Sequence, residues 1–218
     1  LAELFAEYLG VKLKTTTLYP QQVMNVLARH QAHFSAIAMR SNETDAYLKF
    51  GTSYQTVRER VVCNDDTPRQ YEELQDRQII VAAGSAQDAA LRAGRKKFPA
   101  LSWQVVNQKM SSELLEAAAL GDIDCTVANE EQISTMRNFY PEMEASLIIA
   151  TPSELAWSFP PDFDPELFEK MQEFFDEISE NGTLYRLLEQ YYGHNDRIVP
   201  LDAAAFLTKT NTVLPHYR

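Results

Sequence analysis

Apolar residues recur along this chain at two alternating spacings, and the alternation predicts helices and strands in turn. Leu1, Leu4, Phe5 and Leu9 share one helical stripe, which Gly10 stops. Val11 to Leu18 is β-rich, with Val11, Leu13 and three threonines. Pro20 opens a helix carrying Val23, Val26 and Leu27. Phe34 to Met39 reads as a buried strand, Phe50 to Tyr54 as loop-like, and Thr56 to Cys63 as a second β-rich run. Pro68 starts a helical turn containing Tyr71 and Leu74.

The plan then repeats. Ile79 to Ala83 predicts a strand, Gly84-Ser85 a turn, Ala86 to Lys97 a helix and Trp103 to Val106 a strand. A helix over Ser111 to Leu120, a strand over Ile123 to Ala128 and a helix over Glu130 to Phe139 follow. Leu147 to Ala150 and Leu155 to Phe159 read as strands split by Thr151-Pro152. Pro165 begins a long helix that turns Leu167, Met171, Phe174, Phe175 and Ile178 inward. Asn181-Gly182 ends it, Thr183 can cap the next, and Leu184, Leu187, Leu188 and Tyr191 share one face before Gly193. Alternating strands and helices predict an α/β protein with parallel sheets flanked by helices. Residues 23–39 and 114–129 both run helix, turn, buried strand, a weak echo that two similar α/β lobes would explain.

Composition narrows the function. The 218 residues suffice for one large or two small domains. A net charge of -11 argues against a broad phosphate-binding surface, so no nucleic-acid partner is expected. No apolar run approaches the ~20 residues that span a bilayer. No leader pattern is visible, and Leu1 opens inside a helical pattern, as in a chain that starts late. Cys63 and Cys125 each sit in an apolar, strand-like run. Two buried thiols are the expected state, with a disulfide or a metal pair as alternatives.

The pattern G-T-L-x-x-L-x-x-x-Y-x-G at 182–193 resembles the closing helix of periplasmic solute-binding proteins of the amino-acid-binding type. Phe50-Gly51-Thr52-Ser53-Tyr54 is similar to that family's F-S-x-P-Y segment, and Val61-Val62 to the hinge strand after it. Residues 80–85 resemble the second-lobe strand and its turn, and 121–129 the G-x-x-D-A-x-x-x-D strand. A narrower resemblance, carried by residues 4–13, by 98–103 and by a tail through Asp202, Phe206 and Val213-Leu214-Pro215, is to the N-terminal module of the lytic murein transglycosylase F family. There the tail leads into a lysozyme-like catalytic domain with a glutamate as general acid and base. This chain shows no such motif, and no catalytic residue is expected in it.

The resemblance implies a two-lobe, type II periplasmic-binding-protein-like fold, each lobe a mostly parallel sheet flanked by helices. Lobe 1 would take residues 1–63 and 154–218, with a linker from about 194, and lobe 2 residues 64–153. It also implies a strand ahead of the first helix, whose place in the lobe 1 sheet cannot stay open without leaving backbone groups unpaired. Ligands of this family bind between the lobes, an arginine gripping the carboxylate and an aspartate the ammonium. The arginine position here carries Asp45, and the aspartate position Asn129. Arg40 lies close enough to substitute for the arginine. Gly84 and Ser85, at the start of a helix, could offer N–H and hydroxyl donors, although Ser85 reads equally as an ordinary cap. The expected ligand site is therefore Arg40, Asp45, Gly84, Ser85 and Asn129.

Other constellations read as structure. His30 and His33 have metal-compatible spacing but no supporting carboxylate or thiol pattern, so solvated turn histidines are expected and no metal. The run Glu169, Glu173, Asp176, Glu177, Glu180 is the solvent face of a helix rather than a glycosidase acid pair. Trp103 reads as core, while Trp157 is left open between core and sugar stacking. No nucleotide or dinucleotide fingerprint is present, and no cofactor is expected. The resemblance implies a sensor module of a peptidoglycan lytic transglycosylase. It would bind an amino acid or muropeptide-like ligand, partner a C-terminal catalytic domain, and reside in the periplasm of a Gram-negative bacterium, at the outer membrane through its parent protein only. The alternatives are a ligand-free interaction module and a free-standing transporter-type binding protein.

Overall fold

The computed structural model describes residues 1–39 and 44–192, without the side chains of 37–39 and 192. Helix α1 spans Ala2–Leu9, α2 Pro20–Ala28, and strands β1, β2 and β3 span Ser35–Met39, Lys49–Val57 and Glu59–Cys63. After a 3-10 turn at Tyr71–Leu74 come β4 (Ile80–Ala82), α3 (Ala86–Arg95), β5 (Gln104–Val106), α4 (Ser111–Leu120), β6 (Cys125–Asn129) and α5 (Glu130–Met136). The chain closes with β7 (Ser153–Phe159), α6 (Pro165–Glu180) and α7 (Thr183–Tyr192).

Two sets of cores result. In the first, β7 lies between β1 and β2. Trp157 and Phe159 of β7 meet Met171, Phe174 and Phe175 of α6, with Phe5 of α1 and Leu184 and Leu188 of α7 completing the layer. Trp157 is fully buried and stacks on Phe34 at 4.5 Å, which settles it as core. The opposite face, through Phe50 and Ala156, packs on Leu27 of α2. Gly51 lacks a Cβ for a reason: one there would fall 2.4 Å from the Met171 methyl. The glycine lets α6 settle directly on β2. In the second set, Val61, Val81, Cys125 and Val127 pack on Leu91 of α3, while Val62 and Ala128 face Leu115 of α4 and Ile133 of α5.

The helices follow the pattern of the sequence, and so do most strands, but the sheets differ from expectation in direction. Among the described residues only β4–β5 and the single bridge Ile79–Cys125 are parallel; β1–β7, β2–β7 and β3–β6 are antiparallel. The cause is the chain path. It runs from the first core to the second through Arg58, between β2 and β3, and returns into β7, so the segments at the crossings enter their sheets against their neighbours. Strand β3 pairs with β6 and belongs to the second core, although the sequence reading grouped it with the first. The loop-like segment Phe50 to Tyr54 lies inside β2, and Leu147 to Ala150 reduces to one bridge, Arg60–Ile148.

The β-rich run from Val11 to Leu18 forms no strand. Val11 and Leu13 are exposed. Extended residues become a strand only when a neighbour takes their backbone groups, and among the described residues β1 is hydrogen-bonded to β7 alone. The cysteines also depart from expectation: Cys63 and Cys125 form a disulfide rather than a pair of thiols. They face each other at the end of the β3–β6 ladder, where antiparallel neighbours approach closely enough to bond. The bridge spans 62 positions of sequence, and closing a loop of that length is worth up to about 4 kcal/mol in the unfolded chain. Cys63→Ser should therefore lose about 2–4 kcal/mol in urea unfolding, and reducing agent should lower the wild-type midpoint but leave that of the variant unchanged.

Candidate functional site

Four polar side chains from separate elements converge where the chain passes from the first core to the second. Gln55 is near the end of β2, Glu59 opens β3, Gln87 lies in the first turn of α3 and Glu131 in the first turn of α5. Gln55, Glu59 and Gln87 are at most 4% exposed. Strand alternation puts Glu59 there. It shares the parity of Val61, on the α3 side of β3, while Arg60 shares that of Val62, on the side of α4 and α5.

The arginines are already engaged. Arg60 donates to Glu130 at 2.6 Å and to the Ser146 carbonyl at 2.9 Å, and Arg58 donates to Glu130 at 3.4 Å. Burial alone would push the Glu130 carboxyl up, but Arg60 and then Arg58 outweigh it and hold it below the usual range. Glu59 receives a single neutral partner: Gln87 Nε2 donates to its Oε2 at 3.0 Å, and Ser111 Oγ donates to Gln87 Oε1 at 2.7 Å. Glu59 Oε1 is buried without a partner. Burial raises the Glu59 carboxyl to about 7; the Gln87 bond opposes the rise and the charge of Glu131 adds to it. Burial likewise raises Glu131, against its own backbone and Gln55, with Glu130 adding to the rise. The Gln55 amide lies close enough to Glu131 to hold its carboxyl down, although Gln55 Nε2 and Glu131 Oε2 each lack a partner in full hydrogen-bonding geometry.

The residues expected from the sequence are dispersed around this cluster. Asn129 pairs with Glu59 across the ladder, and its Oδ1 caps α5 by accepting from Gln132 N–H at 2.8 Å. Ser85 is buried and caps α3, its Oγ accepting from Asp88 N–H at 3.2 Å. Gly84 has φ +66°, and a Cβ there would lie 3.0 Å from Gln21 Cα, so α2 touches the turn before α3. Oriented to satisfy both neighbours, the Gln21 amide donates to the Ala83 carbonyl at 3.2 Å and accepts from Gln108 N–H at 2.9 Å. Asp45 is exposed in the turn before β2, and Arg40 lies outside the described residues. Of the histidines, His30 pairs with Asp162 at 3.0 Å. Trp103 is half-buried, with Nε1 donating to Asp88 at 2.9 Å.

Glu59 and Gln87 were missed by the sequence reading, although alternation in the run 56–63 contains the signal: a glutamate at an inward position of a strand. Glu131 carried no such signal, because an acid in the first turn of a helix is ordinary.

A fold of two α/β cores joined by strand crossings, with polar groups gathered at the crossing, is the architecture of type II periplasmic binding proteins. The chain belongs to the bacterial extracellular solute-binding proteins, family 3, whose model matches residues 1–194. Among relatives, it is 37% identical over 201 residues to a membrane-bound lytic murein transglycosylase F of Methylobacillus flagellatus, covering 90% of this chain and 43% of that protein. It is 34% identical over 222 residues to the protein of the same name from Nitrosospira multiformis, covering 100% of this chain and 46% of the relative. The chain thus spans less than half the length of these relatives. Solved structures share the fold at low identity. A mutant of ArgBP from T. maritima superposes with a TM-score of 0.75 at 18% identity, covering 88% of this chain and 83% of that one. The substrate binding protein of an amino acid ABC transporter gives 0.76 at 17%, covering 88% and 84%.

The raised Glu59 carboxyl has a consequence for stability. Below pH 4.5 the folded and unfolded chains both hold its proton; between 4.5 and about 7 only the folded chain does. Stability therefore falls as pH rises through that window, and the full cost is present above it. The charged groups acting on Glu59 are Glu131 and, through it, Glu130 and Arg58. Glu59→Gln should remove this slope. Relative to wild type, the variant should gain on the order of 3 kcal/mol between about pH 4.5 and pH 8, read from urea unfolding at each pH.

Proposed function

We propose that this chain is the ligand-sensing, non-catalytic module of a membrane-bound peptidoglycan lytic transglycosylase. In this reading it takes a small amino acid or muropeptide-like ligand between two lobes and, on closing, modulates a catalytic domain that follows it in the parent protein. The observation that carries the reading is the 37% identity over 90% of the chain to a membrane-bound lytic murein transglycosylase F, in a chain that also belongs to a solute-binding family. The parent's action on peptidoglycan and its membrane association are supported by the names of the relatives, and a periplasmic, outer-membrane-associated location is part of the same proposal. A disulfide agrees with an oxidising compartment of that kind. Among the described residues no helix is long and apolar enough to cross a membrane.

The lobes we propose follow the sequence division, residues 1–63 with 154–218 and residues 64–153, with one adjustment. Pairing of β3 with β6 favours a first boundary at Arg58. A ligand acts on such a device only through its unequal affinity for the open and closed arrangements. A second reading, an interaction module that has lost its ligand, is favoured by Gln21, which packs against Gly84 where a ligand would approach α3.

Titration calorimetry of the chain against amino acids and muropeptides, paired with small-angle scattering, separates the two readings. The sensor reading expects saturable binding and a smaller radius of gyration with ligand. No heat and no change of radius with any of these compounds would leave only the interaction module.

A further inference from the structure

The parallel β4–β5 ladder stops one bond short, and the first core supplies what would come next. The ladder steps regularly: Gln104 N–H donates to the Ile79 carbonyl at 2.8 Å, and Ala83 N–H donates to the Val106 carbonyl at 2.8 Å. In an evenly spaced parallel ladder the following bond would run from Gln108 N–H to the Ala83 carbonyl. The two strands part at that point. Gly84, at φ +66°, turns the chain toward α3, and Gln108 takes φ +53°, a conformation uncommon for a residue with a side chain. The Gln21 amide stands between the two groups, donating to the Ala83 carbonyl at 3.2 Å and accepting from Gln108 N–H at 2.9 Å. A side-chain amide offers the same donor and acceptor as a peptide group. Gln21 thus acts as one inserted peptide unit at the end of the ladder.

That amide belongs to the other core. Gln21 lies in the first turn of α2, whose Val23, Met24 and Leu27 pack with Phe50 and Ala156 of the first sheet, whereas β4 sends Val81 into the second core. The start of α2 is held in place: Pro20 fixes its first turn, and Gln22 Oε1 accepts from Tyr19 N–H at 3.0 Å. Gly84 permits the approach, since a Cβ there would fall 3.0 Å from Gln21 Cα and 3.2 Å from its nitrogen. We propose that Gln21 is an internal latch, which ties the two cores together by completing the backbone bonding at the end of the β4–β5 ladder. Two ordinary hydrogen bonds weight an equilibrium between joined and parted cores by about tenfold. That is enough to favour the joined arrangement and small enough to be overcome. The carboxyl edge of parallel strands is where open α/β sheets place ligands. A molecule that reaches this edge with its own donor and acceptor must displace the Gln21 amide, so the latch sets a threshold for occupancy.

The latch holds under either reading of the module, and its test needs no ligand. Gln21→Met keeps the length of the side chain and removes both bonds; Gln21→Asn keeps the amide on a stem too short to reach. Hydrogen exchange of the Gln108 N–H should run about tenfold faster in each variant than in the wild type. The Ala83 N–H, bonded to Val106 inside the second core, should exchange at the same rate in all three proteins. Small-angle scattering of the full chain should show a larger radius of gyration for both variants. Folding is checked by the thermal transition, and if one variant fails to fold the other decides. Unchanged exchange at Gln108 overturns the proposal. So does faster exchange at Gln108 with an unchanged radius, which would make Gln21 a cap that ties nothing, or a matching rise at Ala83, which would mean local damage to the ladder. If the variants open as described while no amino acid or muropeptide binds to any of the three proteins, the latch stands and the sensor reading falls.

Discussion

The second core depends on the five-pair ladder between β3 and β6, whose two ends have opposite characters. At one end Cys63 and Cys125 are joined covalently. At the other, Glu59 faces Asn129 where the chain has just arrived from the first core. Between them Val61, Val62, Val127 and Ala128 bury both faces of the ladder, against α3 on one side and α4 and α5 on the other. A two-stranded ladder is marginal by itself. Here the apolar middle and the covalent end make it firm enough to hold a carboxylate in a place that opposes its ionisation.

That arrangement explains why Glu130 and Glu131, adjacent in α5, behave differently. Glu130 points to the side of the strand where Arg58 and Arg60 emerge, and it is ionised easily. Glu131 is raised by its burial, although its own backbone, Gln55 and Arg58 act to lower it. One residue of helix rotation, about 100°, separates a satisfied carboxylate from an unsatisfied one. The order of side chains on β3 does the same for Glu59 and its flanking arginines.

Most of this fold could be read from the chain because the apolar stripes are long and punctuated. The helix from Pro165, with Phe174 and Phe175 inward, and the closing helix with Leu184 and Leu188 needed no tertiary information. Strand direction did need it: nothing local to Leu155–Phe159 says that β7 inserts antiparallel between β1 and β2. Val11 to Leu18 shows the converse, since β propensity without a pairing partner produces no strand. The candidate site was less legible. Ser85 and Asn129 were found by motif, but both spend their side chains on helix caps, a role the motif does not encode. Glu59 was legible from strand parity alone, whereas Glu131 and Gln55 acquire meaning only once α5 and β2 are brought together in space. The disulfide was one alternative among three until the β3–β6 register fixed it.

The last helix, α7, packs through Leu184 and Leu188 on the first core, beside α6. In the proposed reading, a catalytic domain that follows would therefore take the first core as its frame of reference. In the same reading the first core would be the mount and the second the arm that swings on it. A ligand held by the arm would then act on that following domain only through the angle between the two cores, set at Arg58 and before Ser153. Signal strength would then depend on the stiffness of those two short segments more than on how tightly the ligand is gripped.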